Sequence, residues 1–430
     1  MSKFPLVCIV LVSGLLGPPL LGVAAPSSYD RQWAQFDDDP EHLWNRVYRA
    51  LYERGEGVNR RYCDDELMAF FQGHELCQMD TVTRAKAVAV LDEFIAKDGD
   101  RLIEDPVVRA VFQRSLWATL DRSLEHDDSL ALHQRLVAVM RRIALSRREI
   151  EQLPDTYRAA VQAGRYATSY SEKTRGQPYL PSDLFESDGP WVLLGSSANP
   201  LWPTSTMHTV KFQGRATFYV LLRLPAGREA TLAFVESLRR EARSPDEFYR
   251  KLEARTKAGE LELPVGTQLA LVRAMMTVAN SPYPYTTPIV ETVQIRVLVP
   301  HDTSPQHSGD QTPDEDVYVF RLDQQALRRN VADGLRPVSA QDQVFETWIK
   351  PADNPTTERV AQPKNVVDQC AVCHGSRHLY AFQSFGRAAQ VGEPLPELVP
   401  TNIEHTRYTA QHWKTGHRTW GYLLALWRHN

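Results

Sequence analysis

The chain has 430 residues, of which 24% are charged and 43% hydrophobic, and its formal net charge is −4. A chain of this length is too long for one compact core, so two or three domains are expected. The nearly balanced charge argues against a nucleic-acid partner, because proteins that bind nucleic acid carry strongly basic surfaces.

The first 25 residues have the pattern of a cleaved secretory signal peptide. Lys3 supplies a positive start, residues 6–16 are almost wholly apolar, and residues 22–25 supply the small side chains that cleavage requires. The apolar run is too short to span a bilayer comfortably, although a short membrane anchor is the alternative interpretation. No later stretch approaches 18 consecutive apolar residues, so we expect a periplasmic or secreted mature chain without a transmembrane segment.

Two of the five cysteines, Cys63 and Cys77, lie close together in the first part of the mature chain. In an oxidising compartment such a pair is expected to form a disulfide that closes a short loop, which stabilises a fold by about 2–4 kcal/mol. Free thiols, or a metal pair that includes His74, are the alternatives.

Helical patterns dominate residues 26–165, which we expect to form a helical domain. Asp39-Pro40-Glu41 predicts a capped start with proline at the first helical position. Asp80 and Asp105 carry similar start signals, and residues 146–149 have the Ser-x-x-Glu sequence of a capping box. We expect structural or surface roles for the histidines of this domain, which are His42, His74, His126 and His133.

Residues 166–349 begin with a linker or long loop rich in Ser, Gly and Pro, over residues 166–201, and strand patterns dominate the region. Val293, Ile295 and Val297 alternate with polar residues, as expected for a strand with one buried face. A predicted helix over residues 228–258 interrupts the strands. We therefore expect a mostly antiparallel β-domain with an inserted helix. The predicted strands are residues 191–194, 208–212, 217–224, 268–278, 290–299, 317–322 and 344–349.

Residues 350–430 are expected to form a separate C-terminal module. Prolines, Asn and Thr over residues 350–364 mark its boundary, and the last 66 residues hold six of the 13 histidines. The predicted final element is an amphipathic helix over residues 405–427. Its apolar face is predicted to pack either on a flat apolar ring or on the β-domain, and consists of Trp413, Trp420, Leu423, Leu424 and Trp427.

The most specific motif is Cys370-Ala371-Val372-Cys373-His374, a C-x-x-C-H pentapeptide that marks covalent attachment of a c-type haem. On a helical turn, positions i, i+3 and i+4 share one face. Two thiols in that arrangement can bond to the porphyrin vinyl groups while the imidazole binds the iron. Shuffling this composition would produce the pentapeptide roughly 0.002 times, so chance is a poor explanation.

At this motif the chain resembles the c-type cytochromes, over the pentapeptide and the following Gly375. The resemblance implies one covalent haem c, with Cys370 and Cys373 as its thioether attachments. It also implies that His374 is the proximal iron ligand. An exported monohaem protein of this kind is expected to exchange electrons with a redox partner protein.

The chain departs from the usual small cytochrome c domain in two ways. Prolines and polar residues precede the motif where that domain has a helix, and no methionine follows Met276 to supply a sixth iron ligand. A histidine in that position would give a lower potential than methionine does. His412 and His417 are the candidates because they lie on the predicted terminal helix, and His405 is third.

Other interpretations of the same residues stay open. An open sixth position would make the protein a peroxidase-like haem enzyme or a ligand sensor. Without haem, Cys370 and Cys373 suit a structural zinc site with one or two histidines, a thiol–disulfide redox pair, or a plain disulfide in a secreted interaction protein. The sequence contains no G-x-S-x-G, H-E-x-x-H or P-loop motif, and no second C-x-x-C-H that a dihaem peroxidase would need.

The predicted fold class is therefore α+β and multidomain. The N-terminal domain is expected to be helical, and the central domain mostly antiparallel β-sheet with an inserted helix. The C-terminal segment, residues 350–430, is expected to be a small haem-bearing α module.

Overall fold

A computed structural model describes residues 35–54, 61–62, 79–126, 129–196, 205–240, 263–300, 315–338, 345–349, 360–364 and 398–429. These ranges contain many helices and a seven-stranded antiparallel sheet, which confirms a mixed α+β architecture. Within them, no helix combines the length and the apolar character needed to cross a bilayer.

The first part of the described chain is mainly helical. Its elements are α1 (Leu43–Tyr52), the short strands β1 (Glu53–Arg54) and β2 (Arg61–Tyr62), α2 (Thr81–Ala96), α3 (Pro106–His126), α4 (Leu130–Arg142), α5 (Arg147–Glu151) and α6 (Thr156–Gln162). Strands β1 and β2 form a small antiparallel pair of their own.

The remaining elements alternate between strands and helices. They are β3 (Val192–Ser196), α7 (Thr206–Lys211), β4 (Ala216–Arg223), α8 (Arg228–Arg240), β5 (Gln268–Val278), β6 (Pro284–Leu298), β7 (Glu315–Leu322), α9 (Gln324–Arg329), β8 (Leu335–Pro337), β9 (Phe345–Ile349), β10 (Val360–Lys364), β11 (Leu398–Pro400), α10 (Ile403–Gly416) and α11 (Arg418–His429). The large sheet has the order β11-β3-β4-β5-β6-β7-β8, and β9 pairs with β10 separately.

Local capping signals start most of the helices. Asp80 accepts a hydrogen bond from the third residue of its helix, and Ser146 and Glu149 form the predicted reciprocal capping box. Asp155 caps α6 in the same way, and this helix is absent from the sequence-based prediction. Capping side chains therefore mark the starts of α2, α5 and α6 in the structure.

The predicted start of the first helix at residues 39–41 is wrong. Asp39 instead forms a turn in which its carboxylate accepts a hydrogen bond from the Glu41 amide. The helix begins at Leu43, where the imidazole of His42 accepts the hydrogen bond from the Trp44 amide. An Asx turn therefore competes successfully with the helix for the Asp39 side chain.

The predicted strand over residues 208–212 is also wrong, because these residues lie in helix α7 and the turn that ends it. The buried side chains of this turn are Thr209 and Phe212. They are three residues apart, which is the spacing of residues on one face of a helix. Gln213 and Gly214 then adopt positive φ angles of 51° and 68°, and this left-handed backbone stops the helix.

The predicted terminal helix over residues 405–427 is two helices, α10 and α11. His417 separates them with an extended backbone, at φ −79° and ψ 142°. Its Nδ1 atom accepts a weak 3.4 Å hydrogen bond from the Thr419 amide at the start of the second helix. The predicted helix over residues 228–258 is described only as Arg228–Arg240.

Both faces of the large sheet are covered where its strands are described. Val293, Ile295 and Val297 are fully buried on one face, as their alternation predicted. Tyr179 and Leu180, from the irregular chain before β3, belong to the same apolar cluster. Helix α8 packs with side chains from β3 and β4 to form another cluster. Two covered faces explain why the central strands are apolar on both sides.

One hydrophobic core joins the helical part, the sheet and the terminal helices. It includes Trp44 and Phe112 from the helical part, Met276 from β5, and Trp420 and Leu423 from α11. Apolar side chains from the first, middle and last segments of the chain therefore meet in a single cluster.

Candidate functional site

All five cysteines lie outside the described residues. The sites predicted at Cys370, Cys373 and His374, and the disulfide predicted between Cys63 and Cys77, therefore remain predictions. Within the described ranges, no group of three or more His, Cys, Asp or Glu side chains is placed to hold a metal ion.

In the sequence, two described strands flank the C-x-x-C-H motif. Strand β10 ends at Lys364 before the motif, and β11 begins at Leu398 after it. Strand β11 is antiparallel to β3 at the edge of the large sheet, and the chain then enters α10 after two residues. The elements that follow the motif are therefore part of the main fold.

Helix α10 carries two of the three histidines predicted as sixth ligands. His405 and His412 are seven residues apart, so they lie on the same side of this helix two turns from each other. The His412 side chain is exposed, and its ring stacks on Tyr408 with centroids 5.9 Å apart and an interplanar angle of 23°. His412 is therefore accessible on the helix surface.

His417 has a different environment, at the junction between α10 and α11. Its ring stacks on the indole of Trp413, with centroids 5.0 Å apart and an interplanar angle of 17°. Its Nδ1 atom lies 2.9 Å from Thr419 Oγ1. The imidazole is thus held in position by a ring on one side and a hydroxyl at one nitrogen.

A buried ion cluster next to His417 was not predicted from the sequence. Lys414 is 0% exposed, and its Nζ atom lies 2.6 Å from Asp121 Oδ2, 2.9 Å from the Gln213 carbonyl oxygen and 3.0 Å from Thr419 Oγ1. Arg215 contributes a second contact to the same Asp121 oxygen, at 3.0 Å. The ammonium therefore donates to a carboxylate, a carbonyl and a hydroxyl, each of which can accept its hydrogens.

The ion cluster anchors α10 to the body of the protein. Asp121 lies on α3, and Gln213 and Arg215 lie in the turn before β4, so the cluster joins three parts of the chain. Removing one partner of a buried ion pair leaves an uncompensated charge, which typically costs about 3–5 kcal/mol. Because of this cost, the position of Lys414 is strongly specified.

Close packing accompanies these ionic contacts. A Cβ atom on Gly214 would lie 2.6 Å from the Trp413 ring, so α10 approaches the backbone of the turn directly. The Lys414 ammonium also lies over the ring of Trp117, 4.8 Å from its centroid. Helix α10 therefore fits a surface that includes both backbone and aromatic side chains.

The other end of α10 is held by Tyr219, a buried residue of β4. Its hydroxyl accepts a hydrogen bond from Arg407 Nε at 3.1 Å. Burial raises the pKa of the Tyr219 hydroxyl, so the side chain stays neutral while the nearby Arg407 charge opposes that effect only in part. Helix α10 is thus attached near both of its ends.

A second ionic group lies on the same helix as Asp121. Arg114, seven residues earlier on α3, places its Nε atom 2.6 Å from Glu291 Oε1. Arg273 Nε lies 3.4 Å from the other oxygen of Glu291, and its guanidinium covers the Phe212 ring at 4.6 Å. Helix α3 therefore makes buried ionic contacts with both the sheet and α10.

The aromatic face predicted for the terminal helix is buried against the protein. Trp420, Leu423 and Trp427 belong to the shared core, and the Trp420 and Trp117 ring centroids are 6.1 Å apart. This core contains both helical and sheet residues, and a contact of the same face with a flat apolar ring stays a prediction.

The histidines of the helical part that are described with their side chains have local partners. The His133 ring is buried, and its Nδ1 lies 3.0 Å from the Tyr422 hydroxyl of α11. His42 caps α1. In the β-rich part, His208 Nδ1 lies 2.8 Å from Ser205 Oγ. Each of these contacts supports the local structure.

Comparisons with known proteins add no family to this description. The chain matches no family model, no curated protein sequence and no solved structure.

Proposed function

We propose that this chain is an exported monohaem c-type protein that transfers electrons to or from a redox partner. The observation that carries the proposal is the C-x-x-C-H sequence at residues 370–374. Cys370 and Cys373 would hold the haem through thioether bonds, and His374 would bind its iron. The bound haem would supply one-electron redox chemistry.

The described structure supports the proposal through the elements that follow the motif. Helix α10 is anchored by Lys414 and Arg407, and it presents His412 at its surface. A helix held near both ends would suit a residue that binds the haem iron, because a ligand must be kept close to its productive geometry by the elements around it. His412, His417 and His405 are the candidates for the sixth position.

The proposal is tested by producing the full chain in a host with periplasmic c-type haem maturation. We expect haem staining of the denatured protein on a gel, a mass increase of one haem, and a pyridine haemochrome spectrum of the c type. The matched control is Cys370→Ser with Cys373→Ser, which leaves His374 in place and should lose the covalent stain. Absence of stain in the unaltered chain, beside a working control cytochrome, would overturn the proposal.

Carbon monoxide separates electron transfer from ligand chemistry at the same haem. A reduced iron with histidine on both sides should bind carbon monoxide poorly, whereas an open sixth position should bind it readily. Rapid and tight binding would therefore favour a sensor or a peroxidase-like enzyme. Zinc in the purified chain, found by metal analysis in place of haem, would instead indicate a zinc-stapled secreted protein.

A further inference from the structure

The contact between the Lys414 ammonium and Thr419 restricts how the Thr419 hydroxyl can form hydrogen bonds. An ammonium only donates hydrogen bonds, so Thr419 Oγ1 must accept the bond from Lys414 Nζ at 3.0 Å. The hydroxyl hydrogen of Thr419 is then available for another acceptor. His417 Nδ1, at 2.9 Å, lies within hydrogen-bonding distance of that hydroxyl.

A second donor points to the same nitrogen. The backbone amide of Thr419 lies 3.4 Å from His417 Nδ1 and has the geometry of a weak hydrogen bond. An amide nitrogen can only donate, so this contact also requires a lone pair on Nδ1. The amide contact therefore requires Nδ1 of His417 to accept, and the hydroxyl of Thr419, with its hydrogen still available, can donate to the same atom.

We propose that the buried chain Asp121–Lys414–Thr419 holds His417 in the tautomer that carries its proton on Nε2. The neutral imidazole has one acceptor nitrogen and one donor nitrogen, and Thr419 occupies the acceptor. His417 is then a positioned hydrogen-bond donor at Nε2, and Thr419 is its positioning residue. The stacking of its ring on Trp413 fixes the direction in which this donor points.

This tautomer has a consequence for the sixth-ligand position, and that consequence rests on the proposed function. A histidine that binds a metal through Nε2 normally donates its Nδ1 hydrogen to an acceptor. His417 has the opposite arrangement, since its Nδ1 already accepts from Thr419. His412 has no side-chain hydrogen bond among the described residues and lies exposed on α10. Of the three candidates for the sixth position, this tautomer therefore disfavours His417 and leaves His412 and His405.

The tautomer is tested without haem by nuclear magnetic resonance of the full chain, labelled with nitrogen-15 in histidine and produced without haem maturation. Spectra are recorded at alkaline pH, where the imidazoles are neutral. The His417 signals are assigned by their loss in His417→Gln. We expect a single tautomer, with a pyridine-type shift at Nδ1 and a pyrrole-type shift at Nε2.

Two variants of Thr419 provide the matched control. Thr419→Ser keeps the hydroxyl and should keep the single tautomer. Thr419→Val removes it, and the two nitrogen shifts should move toward each other as the second tautomer becomes populated. A pyrrole-type Nδ1 in the unaltered chain, or unchanged shifts in Thr419→Val, would overturn the proposal, and the unaltered chain decides even if the valine variant unfolds.

The prediction that His417 is not the sixth iron ligand is tested by the absorption spectrum of the haem-loaded chain. His417→Gln should leave a low-spin haem low-spin, whereas either His412→Gln or His405→Gln should convert it into a high-spin one. A high-spin haem in His417→Gln, or in the unaltered chain, would overturn this consequence of the tautomer. If no haem attaches, the proposed function fails, while the nitrogen-15 spectra still decide the tautomer of His417.

Discussion

Glu93 illustrates how one carboxylate can make the stability of the folded protein depend on pH. Its two oxygens lie 2.7 Å from Arg46 Nη2 and 2.8 Å from Lys97 Nζ. Hydrogen bonds from Arg46 and then from Lys97 lower the pKa of the Glu93 carboxyl from 4.5 to about 2. A lowered pKa in the folded state means that the ionised carboxylate favours folding.

We therefore expect Glu93→Gln to remove part of the acid sensitivity of folding. The contribution of Glu93 is fully present above its unfolded pKa near 4.5 and is lost as the pH falls toward about 2. Urea unfolding at a series of pH values should show a shallower loss of stability over this window in the variant. Glu41→Gln, in a pair whose carboxylate is 73% exposed, should change the slope less.

At the residue scale, local signals in the sequence were reliable only for local contacts. Ser146 and Glu149 are three residues apart, and their capping box was correctly predicted. Lys414 and Asp121 are 293 residues apart, and no spacing rule connects them. One sequence feature was consistent with a buried Lys414. This lysine lies four residues after Ala410, which is buried, and therefore on the same side of the predicted helix.

Gly214 provides a test of how tightly α10 packs on the turn before β4. Its φ of +68° disfavours any side chain, and an added Cβ would lie 2.6 Å from Trp413. Gly164 has almost the same φ, +66°, but no atom lies within 4 Å of its added Cβ. Alanine substitutions at the two glycines therefore distinguish the cost of the left-handed backbone from the cost of the contact with Trp413.

We expect Gly164→Ala to cost about 1–2 kcal/mol through the left-handed backbone alone. Gly214→Ala should cost about 1–3 kcal/mol more, because the indole of Trp413 must move. Thermal or urea unfolding of the two variants measures the difference. Equal losses would mean that α10 is not packed closely against this turn in solution.

At the element scale, long regular patterns were predicted better than short ones. Strand β5 has the predicted bounds, and the alternation of Val293, Ile295 and Val297 identified the buried face of β6. The stretch over residues 208–212 was too short to distinguish the alternation of a strand from the spacing of a single helical turn. It is helical, and the positive φ of Gly214 follows the end of that helix. The break at His417 depends on a side-chain cap, which periodicity does not reveal.

The shared core leads to a prediction for the whole molecule. Trp420 is 4% exposed and packs in the cluster that contains both helical and sheet residues. We expect Trp420→Ala to destabilise the protein by about 3–5 kcal/mol, as large-to-small changes in cores do. Because the core is shared, the helical part and the sheet should lose stability together.

Calorimetry and hydrogen exchange can check this coupling. The unaltered chain should show one main unfolding transition, and the Trp420→Ala variant should show that transition at a lower temperature. Amide exchange should accelerate in both α3 and β5. Tyr408→Ala, at a side chain that is 52% exposed, should leave the transition nearly unchanged. Separate transitions for the helical part and the sheet would contradict the prediction.

At the scale of the whole molecule, the sequence predicted the types of secondary structure better than their arrangement. Helices followed by an antiparallel sheet were expected, and the described chain contains both. The meeting of Trp44, Met276 and Trp420 in one cluster was not expected, because it depends on contacts between distant segments. The proposed haem attachment depends on five consecutive residues, and their chemistry needs no knowledge of the fold.

The seven-stranded sheet has long strands at its centre and very short ones at its borders. Strands β5 and β6 contain 11 and 15 residues, whereas the border strands β8 and β11 contain three residues each. Each border strand also ends in proline, at Pro337 and Pro400, which has no amide hydrogen to offer. A foreign polypeptide would find few backbone groups to pair with there, so this arrangement protects the protein against edge-to-edge aggregation.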